Sequence, residues 1–476
     1  MADRAELKVD RKARLQIPRQ QLQKQDPKVR IHNWDEVYLP PNVEVAKLEA
    51  TRCIQCPAAP CISACPVEND IPGALWKLEQ GDIMGAAEVF HETSNLPEMC
   101  GRLCPQERLC EGDCVVGKNA QPVAIGRLEA FVADHYRANG GYDVDGPPRP
   151  TGRRVAVAGA GPAGLAVAEE LAKLGHGVTV YDCWPQPGGV LLYGIPNFKM
   201  QKEILDQKLD YLCKLGIEFV QSSYVGRDVT VDDLFDQGYH AVFLGFGASQ
   251  GNEIDLPGAD LPGVVVATEY LVRGNLQPEQ LPESMREPLP RAERVLVIGG
   301  GDTSMDCVRT AVRLGAKEVT CAYRRTEAEQ LCREEERVHA REEGVRFEYL
   351  ASPLKFEAGP DGNVARASFA RMELGEPDES GRRRPIETGE EFAVEADAVV
   401  IAIGYTADEE LSEQAGIEHK RDLVVIDEDG RTSRPGVFAG GDCVNGADLV
   451  VTALADARRA AAAIHKYVTE QVEVAA

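Results

Sequence analysis

The sequence lacks long apolar runs and an excess of basic charge. No apolar stretch among its 476 residues reaches the ~18 needed for a transmembrane helix, so none is expected. The opening MADRAELKVDRKAR lacks the apolar core of a signal peptide, which favours a cytoplasmic protein over an exported one. The formal net charge of −25 argues against a nucleic-acid partner and against binding to an anionic membrane.

Cysteine, in contrast, is abundant. The chain has 14 cysteines, too many for a disulfide framework in a reducing compartment, so metal or redox chemistry is the leading explanation. Thiolates hold iron–sulfur clusters, and short cysteine spacings also suit zinc; the spacing favours iron–sulfur but leaves zinc open. Eight of the cysteines form two groups in the N-terminal third: Cys53, Cys56, Cys61 and Cys65 before a proline, then Cys100, Cys104, Cys110 and Cys114.

The cysteine groups lie in a region that reads as a small helical domain. We assign residues 1–45 to an N-terminal arm, 46–138 to the helical domain and 139–152 to a polar linker. Asp70 can cap a helix that begins near Ile71 and ends at Gly81, and Asp82 can cap another that reaches about Glu92. The first 30 residues hold nine Lys or Arg against four Asp or Glu. Such an arm docks on a partner or on the acidic body of the chain, or is simply solvated.

From residue 153 onward, apolar strand-like runs alternate with helical patterns. This alternation predicts an α/β fold with parallel sheets covered by helices. Two glycine-rich turns about 140 residues apart each follow such a run, and so predict two Rossmann-like dinucleotide-binding domains. The runs are Val155 to Ala158, Val178 to Tyr181, Ala241 to Leu244, Val295 to Ile298, Val319 to Tyr323 and Ala398 to Ile403.

The first turn carries Gly159, Gly161 and Gly164 between a strand and a helix. Glycines here let the backbone approach a pyrophosphate at the helix N-terminus. Asp182, 18 residues past the third glycine, ends the next strand and is placed to accept hydrogen bonds from a ribose diol. Strand, helix and acid together predict dinucleotide binding.

The second turn carries Gly299, Gly301, Asp302 and Thr303, with Ser304 in place of the third glycine. The next strand ends in Arg324 and Arg325 rather than in an acid. Guanidinium groups pair with a 2′-phosphate that an acid would repel, so NADP(H) is favoured over NAD(H). The alternative is an exposed arginine pair that balances nearby glutamates.

The C-terminal segment indicates which turn binds the flavin. Val437 to Asp442 resembles the second FAD fingerprint of flavoproteins with two dinucleotide-binding domains, with Gly441 and Asp442 on the flavin. A helix around Thr452 can direct its positive end at the flavin pyrimidine. The FAD domain is then discontinuous, 153–285 and 405–476, around an NADP domain at 286–404. Neither nucleotide domain has a Cys-x-x-Cys pair, which argues against a thioredoxin-reductase-like disulfide exit.

Together these motifs resemble the glutamate synthase small-subunit family, over roughly residues 20 to 470. The likeness includes Ile31 to Glu36, Tyr323 to Arg325 and the segment Pro187 to Pro196, which adds Gly189 to the FAD site. The family also includes the large subunit of electron-bifurcating NADH-dependent ferredoxin:NADP oxidoreductase, sulfide dehydrogenase subunits and the N-terminal part of dihydropyrimidine dehydrogenase. The resemblance implies two Rossmann-like domains for FAD and NADP(H), preceded by an α-helical domain with two [4Fe–4S] clusters.

The resemblance also implies interleaved cluster ligands. One [4Fe–4S] cluster takes Cys53, Cys56, Cys61 and Cys114. The other takes Cys65, Cys104 and Cys110 with a non-cysteine ligand from the following helix, for which Glu129 is the candidate. Cys100 is then surplus; the alternative makes Cys100 the eighth ligand and Glu129 an ordinary acid.

Three functions fit these observations. The first is NADPH oxidation with electron delivery to a larger catalytic subunit, the FMN-containing large subunit of glutamate synthase, because 476 residues hold no glutaminase and no FMN barrel. The second is a stand-alone or bifurcating NAD(P)H:ferredoxin or sulfur oxidoreductase, with a small ferredoxin-reductase-like partner. The third is a zinc-stabilised docking scaffold. No catalytic side chain is expected, since hydride transfer from nicotinamide to flavin needs only alignment.

Overall fold

The computed structural model describes residues 9–144, 146–379 and 381–475, with side chains to residue 470. The N-terminal third is helical. Its helices are α1 (Arg11–Arg14), α2 (Pro27–Arg30), α3 (Val43–Thr51), α4 (Pro60–Ser63), α5 (Ile71–Glu79), α6 (Ile83–His91), α7 (Pro97–Leu103) and α8 (Ile125–Ala138). Short 3-10 turns cover Gln106–Arg108, Val115–Lys118, Pro278–Gln280, Glu283–Met285 and Glu327–Glu329.

The two predicted aspartate caps begin helices α5 and α6. An Oδ1 atom of Asp70 accepts the amide N–H of Gly73 at 3.0 Å, and that of Asp82 accepts the N–H of Gly85 at 2.9 Å. Each carboxylate satisfies an N–H that has no partner inside the helix. Both predicted helices are confirmed to within two residues.

After residue 153, strands and helices alternate as predicted. The strands are β1 (Arg154–Ala158), β2 (Gly177–Tyr181), β3 (Glu218–Val220), β4 (Ala241–Leu244), β5 (Gln250–Gly251), β6 (Val264–Val266), β7 (Arg294–Ile298), β8 (Glu318–Tyr323), β9 (Arg346–Tyr349), β10 (Ala351–Ala358), β11 (Val364–Pro377), β12 (Arg383–Glu395), β13 (Ala398–Ile401), β14 (Tyr405–Thr406), β15 (His419–Lys420), β16 (Leu423–Val424) and β17 (Val437–Ala439). The helices are α9 (Pro162–Lys173), α10 (Val190–Tyr193), α11 (Lys202–Lys214), α12 (Val231–Asp236), α13 (Ala267–Asn275), α14 (Asp302–Arg313), α15 (Glu334–Glu342), α16 (Glu409–Gln414), α17 (Asp442–Asn445) and α18 (Val450–Ala475).

Two five-stranded parallel sheets form the centre of the molecule. The first has the order β17-β4-β1-β2-β3, so its edge strand comes from the C-terminal segment. The second has the order β6-β13-β7-β8-β9. Parallel pairing of Val399 with Val264 puts β6 in the second sheet, although the sequence analysis assigned this segment to the first domain. The boundary expected at residue 286 therefore falls too late, because a three-residue strand has no pattern of its own to reveal its partner.

A third sheet, β10-β11-β12, is antiparallel and was absent from the sequence analysis. Two small two-stranded sheets join β14 to β5 and β15 to β16. The helical domain packs against the first parallel sheet unit through one apolar cluster. This cluster includes Met99 of α7 and the preceding Leu96, together with Leu165 of α9 and Leu454 of α18. In the described part of the chain, no helix combines the length and apolar character needed to cross a membrane.

Candidate functional site

The first glycine turn lies between β1 and α9. Gly159 has a φ of +100°, in the left-handed region that favours glycine, and its N–H donates to the carbonyl of Tyr181 at 2.7 Å. A Cβ on Gly164 would lie 1.9 Å from the carbonyl oxygen of Gly159. Gly161 directly precedes α9, and a Cβ on it would come no closer than 4.0 Å to another residue, at the Cα of Gly189. The backbone of the turn is thus tightly packed at Gly164, whereas the space next to Gly161, at the N-terminus of α9, is free to hold a phosphate group.

Asp182 holds this turn from the end of β2. Its Oδ2 accepts the N–H of Ala160 at 2.6 Å, and its Oδ1 accepts the N–H of Trp184 at 2.8 Å. Burial raises the pKa of the carboxyl group, and the two backbone donors partly offset that effect. A carboxylate has about four acceptor sites, so two remain for a ribose diol.

The C-terminal fingerprint meets the first turn. Gly441 has a φ of +81°, and a Cβ there would lie 2.9 Å from the Cβ of Ala163 in α9. Asp442 begins α17, and burial raises the pKa of its carboxyl group to about 6. Thr452, in the first turn of α18, donates its hydroxyl to the carbonyl of Leu449 at 2.7 Å. Gly441 and Asp442 therefore lie beside the first residues of α9, next to the first glycine turn.

Gly189 approaches the same turn from the segment after β2. It has a φ of +52°, and a Cβ there would lie 2.7 Å from the Cα of Gly161. The buried Lys202 supports this segment by donating to the carbonyls of Leu191, at 2.8 Å, and Ile195. Burial lowers the pKa of this lysine to about 7. Lys202 was not predicted as a site residue, because nothing in the local sequence pattern distinguishes it from a surface lysine.

The second glycine turn has the same form between β7 and α14. Gly299 has a φ of +147°, and a Cβ there would lie 2.2 Å from the carbonyl oxygen of Ala402. A Cβ on Gly301 would meet no atom within 4 Å. Ser304 is buried with its hydroxyl 3.5 Å from the carbonyl oxygen of Ala402, so a small side chain fits where the third glycine was expected. Asp302 accepts the N–H of Arg333 at 2.9 Å through its side chain.

Thr303, next to Asp302, makes a side-chain hydrogen bond with Tyr405. Burial raises the pKa of this tyrosine, so the hydroxyl stays neutral. Thr303 thereby links the second turn to the short strand β14.

The two arginines at the end of β8 have different surroundings. Arg325 is buried; its Nη2 donates to Asp378 at 2.9 Å and its Nε to the carbonyl of Arg383 at 2.8 Å. Arg324 is exposed, and no acceptor in the described part of the chain holds its guanidinium. Only Arg324 therefore presents its whole guanidinium group to a ligand.

The four cysteines assigned to the first cluster line one cavity. Cys53, Cys56, Cys61 and Cys114 surround it, and its remaining lining is apolar apart from backbone. Burial raises the pKa of the Cys53 and Cys61 thiols to about 12. Four thiols around one apolar cavity fit the donor set of a [4Fe–4S] cluster, whose binding would release their protons.

The residues assigned to the second cluster also come together, and Cys100 lies with them. Burial, reinforced by the charges of Glu129 and Cys104, raises the pKa of Cys65 to about 11. Burial and the charges of Glu111, Glu129, Cys104 and Cys65 likewise raise the pKa of Cys110. A hydrogen bond with Cys104, together with burial, raises the pKa of Cys100. Both candidates for the eighth ligand, Cys100 and Glu129, therefore belong to this group.

Glu129 is buried on α8. Burial, and then the charge of Cys104, raises its pKa well above the ordinary value. Its Oε1 accepts a hydrogen bond from the amide of Asn69 at 3.3 Å, and the Oδ1 of Asn69 accepts from the hydroxyl of Thr93 at 2.6 Å. Asn69 was not predicted as a site residue, although its place four residues after Cys65 was a usable signal.

Two further contacts join the sites and were also missed. Buried Arg333 donates to the carbonyl of Arg102 and to Oε1 of Gln106, both at 2.8 Å, so it ties the second glycine turn to the loop of Cys104. Lys199 and Asp306 form a buried ion pair at 2.9 Å between the segment after β2 and helix α14. Such long-range pairs leave no pattern in the sequence.

Comparisons with known proteins agree with this arrangement. Residues 30–141 match the family described as dihydropyrimidine dehydrogenase domain II, 4Fe-4S cluster, and residues 153–457 match the pyridine nucleotide-disulphide oxidoreductase family. The chain is 43% identical to the glutamate synthase [NADPH] small chain of Escherichia coli, over 92% of this chain and 96% of that protein. It is 42% identical to the oxidoreductase AegA of Escherichia coli, over 90% of this chain and 67% of that protein.

Among solved structures, Mycobacterium tuberculosis FprA in complex with NADPH superposes with a TM-score of 0.59 over 69% of this chain and 86% of that chain. At 21% identity, this likeness supports the fold alone. The predicted fold class and the predicted resemblance are both confirmed. The chain therefore belongs to the pyridine nucleotide-disulphide oxidoreductase family and, within it, to the glutamate synthase small-chain family.

Proposed function

We propose that the chain oxidises NADPH at FAD and passes the electrons through two [4Fe–4S] clusters to a larger, FMN-containing catalytic subunit in the cytoplasm. Family membership makes it an NADPH-dependent FAD oxidoreductase with iron–sulfur chemistry. The likeness to the glutamate synthase small chain supports the partner subunit, and the grouping of Cys65, Cys104 and Cys110 supports the second cluster. The observation that carries it is the cavity lined by Cys53, Cys56, Cys61 and Cys114 in a domain that packs on a dinucleotide-binding sheet.

The protein is proposed to hold its nucleotides with the backbone of two glycine turns and with a few polar side chains, none of which takes part in the chemistry. For FAD we assign the first turn (Gly159, Gly161, Gly164), Asp182, Gly189, Gly441, Asp442 and Thr452. For NADPH we assign Gly299, Gly301, Asp302, Thr303 and Arg324, with Arg324 as the partner of the 2′-phosphate. Arg325, predicted for the same role, is instead held by Asp378. The open faces of Gly161 and Gly301 support these assignments, because a pyrophosphate needs that space.

Bound FAD supplies the conversion between two-electron hydride chemistry and one-electron transfer, and the clusters supply one-electron carriers. The residues of the chain bind, align and shield these groups, and no side chain is assigned as an acid or base. The hydrogen bonds of Arg333 hold the second glycine turn against the cysteine domain. The ion pair of Lys199 with Asp306 holds helix α14 against the segment that follows β2.

For the second cluster we assign Cys65, Cys104, Cys110 and Glu129. The pair Asn69 and Thr93 favours Glu129 over Cys100, because Thr93 holds Asn69 and Asn69 orients the carboxylate by a hydrogen bond, as metal-binding side chains commonly require. Full burial of an acid without a cationic partner is costly, and a metal would offset that cost. Cys100 remains the competing assignment.

Anaerobic purification of the full chain tests the proposal. We expect brown protein with one FAD and about eight iron atoms per chain, since two [4Fe–4S] clusters hold that number. We also expect faster oxidation of NADPH than of NADH. Colourless, zinc-containing protein would eliminate electron transfer through the cysteine domain, and a preference for NADH would eliminate the role given to Arg324.

Matched substitutions test the eighth ligand. We expect Glu129→Ala to lose the EPR signal of one cluster and up to half of the iron, and Cys100→Ala to keep both signals. Loss of a cluster in Cys100→Ala but not in Glu129→Ala would exchange the two roles.

A second candidate is a stand-alone or bifurcating NAD(P)H:ferredoxin or sulfur oxidoreductase. The likeness to AegA supports it, because there the same unit makes up 67% of a longer oxidoreductase. Affinity purification under mild conditions separates the candidates. Recovery of a large FMN-containing, glutamine-using chain supports the first, and recovery of a small ferredoxin-reductase-like chain supports the second.

A further inference from the structure

The N-terminal arm lies against the outside of the loop that carries Cys53 and Cys56. Arg11 donates its Nε to the carbonyl of Ile54 and its Nη2 to the carbonyl of Gln55, both at 3.2 Å. Arg14 donates its Nη1 to the carbonyl of Cys53 at 2.7 Å. Three consecutive carbonyls of the cysteine loop are therefore directed at two guanidinium groups of the arm.

These contacts fix the direction of the loop's amide N–H groups. In a planar trans peptide the carbonyl and the following N–H point in opposite directions, so the N–H groups of Ile54, Gln55 and Cys56 point away from the arm. The N–H of Gln55 faces the thiol of Cys53 and lowers its pKa against the larger effect of burial. Within the described residues, the N–H groups of Ile54 and Cys56 have no acceptor. Such donors are suited to the sulfurs of a cluster.

The loop needs external support to keep this form. Gln55 has a φ of +48°, in the left-handed region that non-glycine residues rarely adopt. Its side-chain Nε2 donates to the carbonyl of Pro72 at 2.9 Å and lies 3.6 Å from Sγ of Cys53. On the other side of the loop, Arg11 donates a hydrogen bond to the backbone carbonyl of Gln55.

The two arginines also bring positive charge to the loop. Arg14 is buried and shares its charge with Glu79 at 2.7 Å. For Arg11, no carboxylate in the part of the chain that the structure describes forms an ion pair. Lys12, between them, has an exposed side chain, and among the described residues no hydrogen bond or ion pair joins it to the loop. Hydrogen bonds to cluster sulfurs and nearby positive charge both stabilise the reduced, more negative cluster.

From this geometry we infer that Arg11 and Arg14 are positioning residues that raise the reduction potential of the cluster held by Cys53, Cys56, Cys61 and Cys114. The inference rests on the proposed cluster assignment. It gives the arm a role in setting the driving force for electron transfer, in addition to its role in packing.

Redox titration followed by EPR tests the inference on the full chain. Arg11→Gln, Arg14→Gln and Lys12→Gln each remove one positive charge from the same short helix. We expect the midpoint potential of one cluster to become more negative in the two arginine variants and to stay at the wild-type value in Lys12→Gln. The second cluster should not change in any variant. The midpoint potential of Arg14→Lys should lie between those of the wild type and Arg14→Gln, because lysine keeps the positive charge but lacks the guanidinium group.

Cys114→Ala, which leaves no donor atom, identifies which EPR signal belongs to this cluster. If Cys114→Ala removes neither signal, the proposed ligand set is wrong. If it removes one signal and Arg11→Gln shifts that signal no more than Lys12→Gln does, the ligand set stands and the inference fails. Should Arg14→Gln lose iron, Arg11→Gln alone decides, because that side chain is exposed and its replacement leaves no buried acid unpaired.

Discussion

The two arginines at the end of β8 differ in what they can do although they are neighbours in the sequence. Arg325 is held by Asp378, 53 residues further along the chain, whereas Arg324 is exposed. The sequence predicted both as partners of a 2′-phosphate, because residue type and position were the only information available. The environment of Arg325 could not be predicted, since it depends on the hairpin that brings Asp378 back to β8.

Arg324→Gln should reduce the discrimination between the two nicotinamide nucleotides. A charge-assisted hydrogen bond contributes about 1.5–3 kcal/mol, so the KM for NADPH should rise roughly 10- to 100-fold. The KM for NADH should not change, because NADH has no 2′-phosphate. Steady-state kinetics with both nucleotides measures the ratio of the KM for NADH to the KM for NADPH. Arg325→Gln is the matched control, and an equal loss of discrimination there would assign the phosphate to both arginines.

At the scale of elements, the last residue of helix α6 packs among aromatic rings of the cysteine domain and of the linker that follows it. The ring of His91 lies 4.7 Å from the ring of Tyr136 and 5.9 Å from that of Tyr142, measured between centroids. Its Nε2 is buried and has no hydrogen-bond partner among the described residues. Burial, and then the charge of Lys208, lowers the pKa of this histidine to about 3.

This histidine predicts a loss of stability in mild acid. Between pH 6.5, where a free histidine titrates, and pH 3, the unfolded chain binds a proton at His91 that the folded chain does not, so stability falls as the pH falls. Between pH 7 and pH 5 the contribution is about 1–2 kcal/mol. His91→Gln should remove that part of the pH dependence of the urea unfolding free energy, and His32→Gln, at an exposed histidine, should not. Equal slopes in wild type and His91→Gln would contradict the prediction.

The elements that the sequence predicted share a physical property that the missed ones lack. Strands β1, β4, β7 and β13 are buried on both faces and read as apolar runs, so their positions were clear. Strand β12 is mostly exposed and rich in charge, and its form depends on pairing with β11 rather than on its own pattern. Asp70 and Asp82 were predictable as caps because capping is local to one helical turn.

Across the whole molecule, a buried ionic network fixes the N-terminal arm to the second sheet unit. The carboxylate of Glu343 accepts from Arg30 at 2.7 Å, from Arg309 at 2.9 Å and from Arg313 at 2.8 Å. Burial alone would raise the pKa of Glu343, but the charges of Arg309 and Arg313 lower it to about 2. The sequence analysis left open where the arm docks, because Arg30 and Glu343 are 313 residues apart. The structure shows that Arg30 and other arm residues dock on the chain's own body.

Glu343→Gln should therefore destabilise the protein far more than Glu342→Gln. Removing one member of a buried ion pair leaves uncompensated charge and costs about 3–5 kcal/mol. Glu342 also binds Arg30, at 2.7 Å, but its side chain is 40% exposed, so its loss should cost less than about 1 kcal/mol. Urea unfolding at pH 7 measures both variants, and trypsin should cleave the arm of Glu343→Gln earlier because Arg30 loses its buried partner. Similar losses in the two variants would mean that packing, rather than the charge on Glu343, holds the arm to the nucleotide-binding unit.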